Sequence, residues 1–245
     1  MNAVQRGSEV TINSDLGEAF GRHTFGNDER LMAIIDVANV ACGFHSGDPD
    51  VMDATVALAA AHGVRVGAHP GLPDAVGFGR REMKLTPDEV EAIIRYQVGA
   101  LSGFLTKYGL PLNHIKPHGS LYGMLARDED LMRAAARVAA DYAVPVFGLG
   151  GTAHERIAAE AGIEFVPELY VDLNYDATGG LLIQRAPAPT VPAEAAARVV
   201  QALAAGTVRS VEGPECDVSF TSVCVHSDAG NSVEVAQAVR DVLSA

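Results

Sequence analysis

Seven short apolar runs, at residues 10–12, 37–41, 64–68, 114–116, 144–149, 164–167 and 218–225, alternate with longer amphipathic segments along the whole chain. A short run followed by a long one, repeated in this way, is the pattern of parallel strands joined by crossover helices. The helical segments carry their own punctuation. DPDVMDATVALAAAHG, 48–63, opens on an acidic cap and a proline and stops at Gly63. TPDEVEAIIRYQVGALSGFLTKYG, 86–109, has Thr86 as cap, Pro87 in the first turn, Glu89 at the capping-box position and Gly109 as stop. Further helices are expected at 128–142, 153–161, 193–205 and 231–243. Such a chain folds as a closed (β/α) barrel or as an open doubly wound sheet. The first strand-to-helix turn, NSDLGEAFGRHTFG, lacks a G-x-G-x-x-G fingerprint, which disfavours a dinucleotide-binding sheet.

The placement of polar residues favours the barrel. Asp15 in NSDLGE, His45 in CGFHSGD, His69 in GAHPG, His118 in KPHGSLY, Glu168 in PELYVD and His226 in CVHSDAG each follow the end of an expected strand. In a parallel barrel all of these ends open on one face, where the βα-loops build active sites. The other four of the eight histidines, His23, His62, His114 and His154, fall in loop, helix or strand interiors and read as structural, with His114 on the same strand face as Lys116.

Asp15, His45, His69 and His118 are the candidate catalytic residues. An aspartate with two or three histidines suits a divalent metal that keeps an open water position, so the same four are the candidate metal ligands. Without a metal, they supply a general base, a general acid and hydrogen-bond donors for attack on an amide. No HxxxH or HExxH pair lies on one helix, and spacing leaves both readings open.

The candidate substrate-binding residues are Asp48, Arg80, Lys116, Glu168 and His226. Asp48 also reads as the cap of the following helix. Lys116 is either a charge aimed at a substrate carboxylate or a snorkelling side chain. Arg80 and Arg81 in GFGRR suit an anion clamp or a plain surface pair. GLGGT, 148–152, offers backbone amides to an anion but lacks the Lys-Ser/Thr of a phosphate-binding loop. No G-x-S-x-G elbow supports an acyl-enzyme.

The 245 residues read as one domain over 1–245, with the proline-rich patch at 186–192 as a loop. A net charge of −13 argues against nucleic acid, which needs clustered Lys and Arg. No apolar run approaches the ~20 residues of a membrane span, and MNAVQRGSEV lacks the apolar core of a signal peptide, so a cytoplasmic protein is expected. The three cysteines, Cys42, Cys216 and Cys224, form no CxxC pair and are expected as reduced core thiols. Self-association is left open.

Taken together, NSDLGE, ANVACGFHSGDP, GAHPGLPD, GFGRR, KPHGSLY and CVHSD, from about residue 9 to 243, resemble the LamB/YcsF family. The resemblance implies an irregular seven-stranded (β/α) barrel of the glycoside-hydrolase and deacetylase type. It also implies ATP-dependent opening of 5-oxo-L-proline to L-glutamate by a 5-oxoprolinase in which such a chain is the A component beside subunits B and C. Two positions depart from the family's pattern: YVDLNYDATGG has Leu173 where members usually carry an arginine, and Ser14 replaces the cysteine of NCDLGE. Asp172 and Tyr175 remain, and Arg185 matches a later family arginine. A bidentate arginine is not replaced by leucine, so a changed lactam is expected. The rival readings are a metal-dependent N-deacetylase of the same barrel group and a non-catalytic regulatory component.

Overall fold

The computed structural model describes residues 10–183 and 189–245; Arg185 lies outside the described residues, as do 1–9 and the start of the proline-rich patch. The strands, in chain order, are β1 (Thr11–Leu16), β2 (Val37–Ala41), β3 (Arg65–His69), β4 (Val146–Gly148), β5 (Phe165–Tyr170), β6 (Asn174–Tyr175), β7 (Leu181–Leu182), β8 (Thr207–Arg209), β9 (Glu215–Asp217) and β10 (Ser222–Cys224). The helices are α1 (Asp28–Met32), α2 (Pro49–His62), α3 (Pro87–Tyr108), α4 (Gly119–Arg127), α5 (Glu129–Tyr142), α6 (Ala153–Glu160), α7 (Pro192–Ala205) and α8 (Ser232–Leu243).

Six strands form one curled sheet in the order β3-β2-β1-β10-β5-β4, with every pairing parallel. Its two edges meet through one residue, Ile115, which bridges Ala68 on one side and Val146 on the other. The Ile115 N–H donates to Pro145 O (3.0 Å) and its carbonyl accepts from Phe147 N (3.0 Å), while Ala68 N donates to His114 O and Lys116 N to Ala68 O (2.9 Å each). The circle is therefore a (β/α) barrel of six ladder strands and one bridge. The expected seventh strand is cut to a single residue because Pro117, which has no N–H to donate, follows at once.

The helices start where their caps place them. Asp48 Oδ1 accepts from the N–H groups of Asp50 and Val51 to open α2, and Gly63 closes it at φ 70. Thr86 and Glu89 form a capping box for α3. Two elements depart from expectation in a way that matters for the site. β5 runs on to Tyr170, which puts Glu168 inside a strand. The expected 218–225 strand shortens to β10, and Glu215–Asp217 pairs instead with β8 as a hairpin.

Side chains alternate across each strand. Ile12, Val40, Val66 and Ala68 face the helices and share one apolar cluster with Val56 of α2 and Ile94 of α3. The alternate positions, Asn13, Asp15, Asn39, His69, Glu168 and Tyr170, turn to the barrel interior, which is consequently polar.

Candidate active site

The floor of the site is a buried ion cluster. Lys116 Nζ lies 3.0 Å from Asp15 Oδ1, 3.1 Å from Asn13 Oδ1, 3.0 Å from Cys224 Sγ and 3.2 Å from Glu168 Oε1. Only 2% of the Lys116 side chain is exposed, so charge pairing rather than solvation keeps it ionised. Burial works against the ammonium, but Asp15, Cys224 and Glu168 outweigh it and hold its pKa well above the ordinary value. Burial likewise works against the Asp15 carboxylate, yet His69, Lys116 and His226 together hold it well below the usual range. The Glu168 Oε2 accepts from Tyr170 OH at 2.8 Å.

Above this floor, three imidazoles and a carboxylate converge. His45, His69, His118 and Glu18 are all buried, and one ligand atom from each lies within 4.8 Å of the others. The His45 and His118 rings stack at 3.7 Å with 4° between their planes, and His69 stands edge-on to His118. His118 Nδ1 is 3.0 Å from His69 Nε2 and 3.5 Å from Glu18 Oε1, and His45 Nε2 is 3.3 Å from the same Glu18 oxygen. Gly79, at φ 63, fits this packing because a Cβ there would approach His45 and His118 to 2.8 and 2.9 Å.

The outer hydrogen bonds fix the proton positions. His69 Nδ1 donates to Lys116 O (2.7 Å) and His118 Nε2 donates to Phe78 O (2.8 Å). The neutral rings thus point two lone pairs, His69 Nε2 and His118 Nδ1, at each other. One positive charge is needed between them, supplied either by a proton on His69, which also reaches Asp15 Oδ2 at 3.2 Å, or by a cation. Bonds of about 2.0–2.1 Å around a tetrahedral ion place neighbouring ligand atoms about 3.3 Å apart, close to the 3.0, 3.3 and 3.5 Å of three of the pairs here, in a set whose atoms all lie within 4.8 Å of one another. Burial, with neighbouring imidazole charge, lowers the pKa values of His45 and His118, and burial with Asp15 and Asp228 raises that of Glu18. The donor set therefore fits a divalent ion held by Glu18, His45, His69 and His118.

The mouth of the site is a narrow cleft, partly open to solvent. Asp15, His69, His118 and His226 line its polar side, and Leu173, Leu181 and Ile183 its apolar side. His226 Nδ1 sits 2.9 Å from Asp172 Oδ1, and its Nε2 is 3.5 Å from Asp15 Oδ2.

A family model described as LamB/YcsF family matches residues 10–245. The chain belongs to the LamB/YcsF family. Among its relatives, the lactam utilization protein lamB of Emericella nidulans is 48% identical, across 96% of this chain and 94% of that protein. The A subunit of 5-oxoprolinase from Thermus thermophilus is 45% identical across 96% of each chain. The crystal structure of the lactam utilization protein from Thermus thermophilus superposes with a TM-score of 0.88 at 43% identity, covering 96% of both chains.

Within this family fold, the residues picked out by sequence divide. Asp15, His69, His118 and His226 line one mouth, and His45 stacks on His118 beside it. Glu168 lies inside the barrel and does not line the cleft; Lys116 does line it, and its ammonium is shared there between the Asp15 and Glu168 carboxylates. Asp48 is a correction: both oxygens are taken by backbone N–H groups, Oδ2 by that of Gly21 at 2.6 Å, so it caps α2 rather than holding substrate. Arg80 lines the cleft, bound to Asp228 at 2.9 Å, whereas Arg81 pairs with Asp74. The GLGGT amides hold no outside anion at Gly151, whose N–H donates to Glu155 (2.8 Å). Asp15 stands outside the Glu18–His45–His69–His118 set; its Oδ1 is held by Asn39 and Lys116, and it belongs instead to a second group, with Cys224 and His226, whose ligand atoms also lie within 4.8 Å of one another. Glu18 is the residue that sequence reasoning missed, although it ends the same NSDLGE motif. Cys224 is buried as expected, but as a neighbour of the Lys116 ammonium.

Proposed function

We propose that this chain opens a small lactam of the 5-oxoproline class by hydrolysis, acting as the A component with partner subunits B and C and with ATP as the driving force. The observation that carries the reading is that Asp15, His69, His118 and His226 line one cleft, with Glu18 and His45 clustered against His69 and His118 beside it. It is supported by relatives named for lactam utilization and for the A subunit of 5-oxoprolinase. A five-membered lactam is an unstrained amide, so its opening benefits from coupling to ATP, and in this reading the nucleotide binds with the partners.

Hydrolysis adds water to the ring carbonyl carbon, breaks the C–N bond and leaves a proton on the former ring nitrogen. Asp15 is held ionised, and its Oδ2 faces the cleft between His69 and His226; it takes the proton of the attacking water. His226, oriented by Asp172 at Nδ1, presents Nε2–H to the cleft and protonates the departing nitrogen. Lys116 and Asn39 hold Asp15 Oδ1, so that only the other oxygen is available. A divalent ion bound by Glu18 and the three histidines would supply positive charge beside the cleft, and would polarise the carbonyl or a water only through a coordination position beyond those four. Leu173, Leu181 and Ile183 pack against the ring methylenes and exclude solvent.

The test is conversion of 5-oxoproline to glutamate by the chain mixed with its partner subunits, with and without ATP. Turnover that needs this chain and falls at least about 100-fold in Asp15→Asn and His226→Ala supports the reading. Unchanged turnover in both variants would remove it.

A further inference from the structure

We infer that His114, outside the cleft, is a positioning residue that sets Asp15 through Asn39. His114 is fully buried and does not line the cleft. Its Nε2 is 2.6 Å from Asn39 Oδ1, and Asn39 Nδ2 donates to Asp15 Oδ1 at 2.7 Å and to Asn13 Oδ1 at 2.8 Å. Asn39 stands beside Asp15 in register, and Gly67 beside Asn39.

The proton arrangement follows from charge. The Asp15 carboxylate only accepts, so the Asn39 amide must turn its NH2 toward it, which leaves Oδ1 facing His114. His114 Nε2 must then carry a proton and donate it. Burial first, then the neighbouring Lys116 charge, lowers the His114 pKa and keeps the ring neutral, so Nδ1 is an acceptor. Asn113 Oδ1 stands 3.1 Å from Nδ1; against an acceptor nitrogen the amide is expected to turn by a half-turn of its last torsion and offer its NH2 instead.

The slot for the ring is built to size. A Cβ at position 67 would lie 2.0 Å from His114 Cε1, so glycine is required there, and Phe147 stacks on the ring at 3.9 Å. His114 also sits next to the Ile115 bridge that joins the barrel. A ring clamped by glycine and phenylalanine, with one directed N–H, holds Asn39 in one orientation. Asn39 in turn holds Asp15 Oδ1 and leaves Oδ2 to the cleft.

Two measurements test this, the second resting on the lactam-opening function above. In the full chain labelled with 15N-histidine, long-range 1H–15N NMR at pH 7 is expected to show His114 as the neutral Nε2–H tautomer. An Nδ1–H tautomer or an imidazolium overturns the relay, whatever the reaction proves to be. In the reconstituted complex, His114→Phe fills the slot without a donor and is expected to lower kcat about 10–100-fold with KM unchanged, while His114→Gln, which keeps a donor at the Nε2 position, recovers most of the loss. Full kcat in His114→Phe, or no recovery by glutamine, overturns it. If the unsubstituted complex opens no lactam, the function above fails and the tautomer alone decides the relay.

Discussion

His69 Nε2 and His118 Nδ1 stand 3.0 Å apart although each ring spends its other nitrogen on a backbone carbonyl. Two lone pairs so arranged attract a cation. The purified chain is expected to take up one zinc ion in isothermal titration, and Glu18→Gln and His118→Ala are expected to weaken that uptake about 10–100-fold or more. No uptake by the unsubstituted chain would leave a proton on His69 as the bridging charge and exclude the metal.

His226 should make stability depend on alkaline pH. Burial alone would lower its pKa, but Asp172 outweighs burial and raises it to about 9 from the ordinary 6.5. A group raised on folding contributes fully below its unfolded value, and that contribution is lost as pH rises through its folded value. Between pH 6 and pH 10 this pair should cost the folded chain about 3 kcal/mol. Urea unfolding is expected to show the decline in the unsubstituted chain and to lack it in Asp172→Asn. Equal slopes in the two proteins would show that the pair is not formed.

Removing Lys116 should damage the fold more than the surface chemistry suggests. Lys116→Met keeps the volume but leaves Asp15 and Glu168 buried without their counter-charge. A loss of about 3–5 kcal/mol in urea unfolding is expected. Near-native stability would mean that the cluster is held by protonation rather than by the ammonium.

Leu173 forms part of the apolar side of the cleft, at the position where the resemblance to the LamB/YcsF family leads one to expect an arginine. Leu173→Arg restores a fixed positive charge beside the polar groups. In steady-state assays of the reconstituted complex, kcat/KM for 5-oxoproline is expected to rise about tenfold relative to an uncharged γ-lactam, the order of one charge-assisted hydrogen bond. An unchanged ratio would show that position 173 does not read the substrate's carboxylate.

Much of this architecture is legible in the sequence because parallel strands and crossover helices write a simple pattern. Val37–Ala41 is read with its observed bounds, and the caps Asp48, Thr86 and Glu89 act where they are read. Asp15, His45, His69, His118 and His226 stand out because strand-tip residues share one face. Glu18 does not, since one acid among 31 carries no periodic signal, and only the path of the turn after β1 brings it under His45. Glu168 is misread as a rim residue because the end of its strand, expected at 167, lies three residues later. His114 reads as structural because its link to Asp15 runs through Asn39, from a strand 75 residues earlier.

The barrel's joint at Ile115 is one residue wide, and His114 and Lys116 flank it with both side chains turned inward. Any local opening of that seam pulls the two groups that brace Asp15 away from it at the same moment. Loss of cylinder closure and disarming of the carboxylate are thus a single event, and the amide protons of Ile115 and Phe147 serve as its clock in hydrogen exchange.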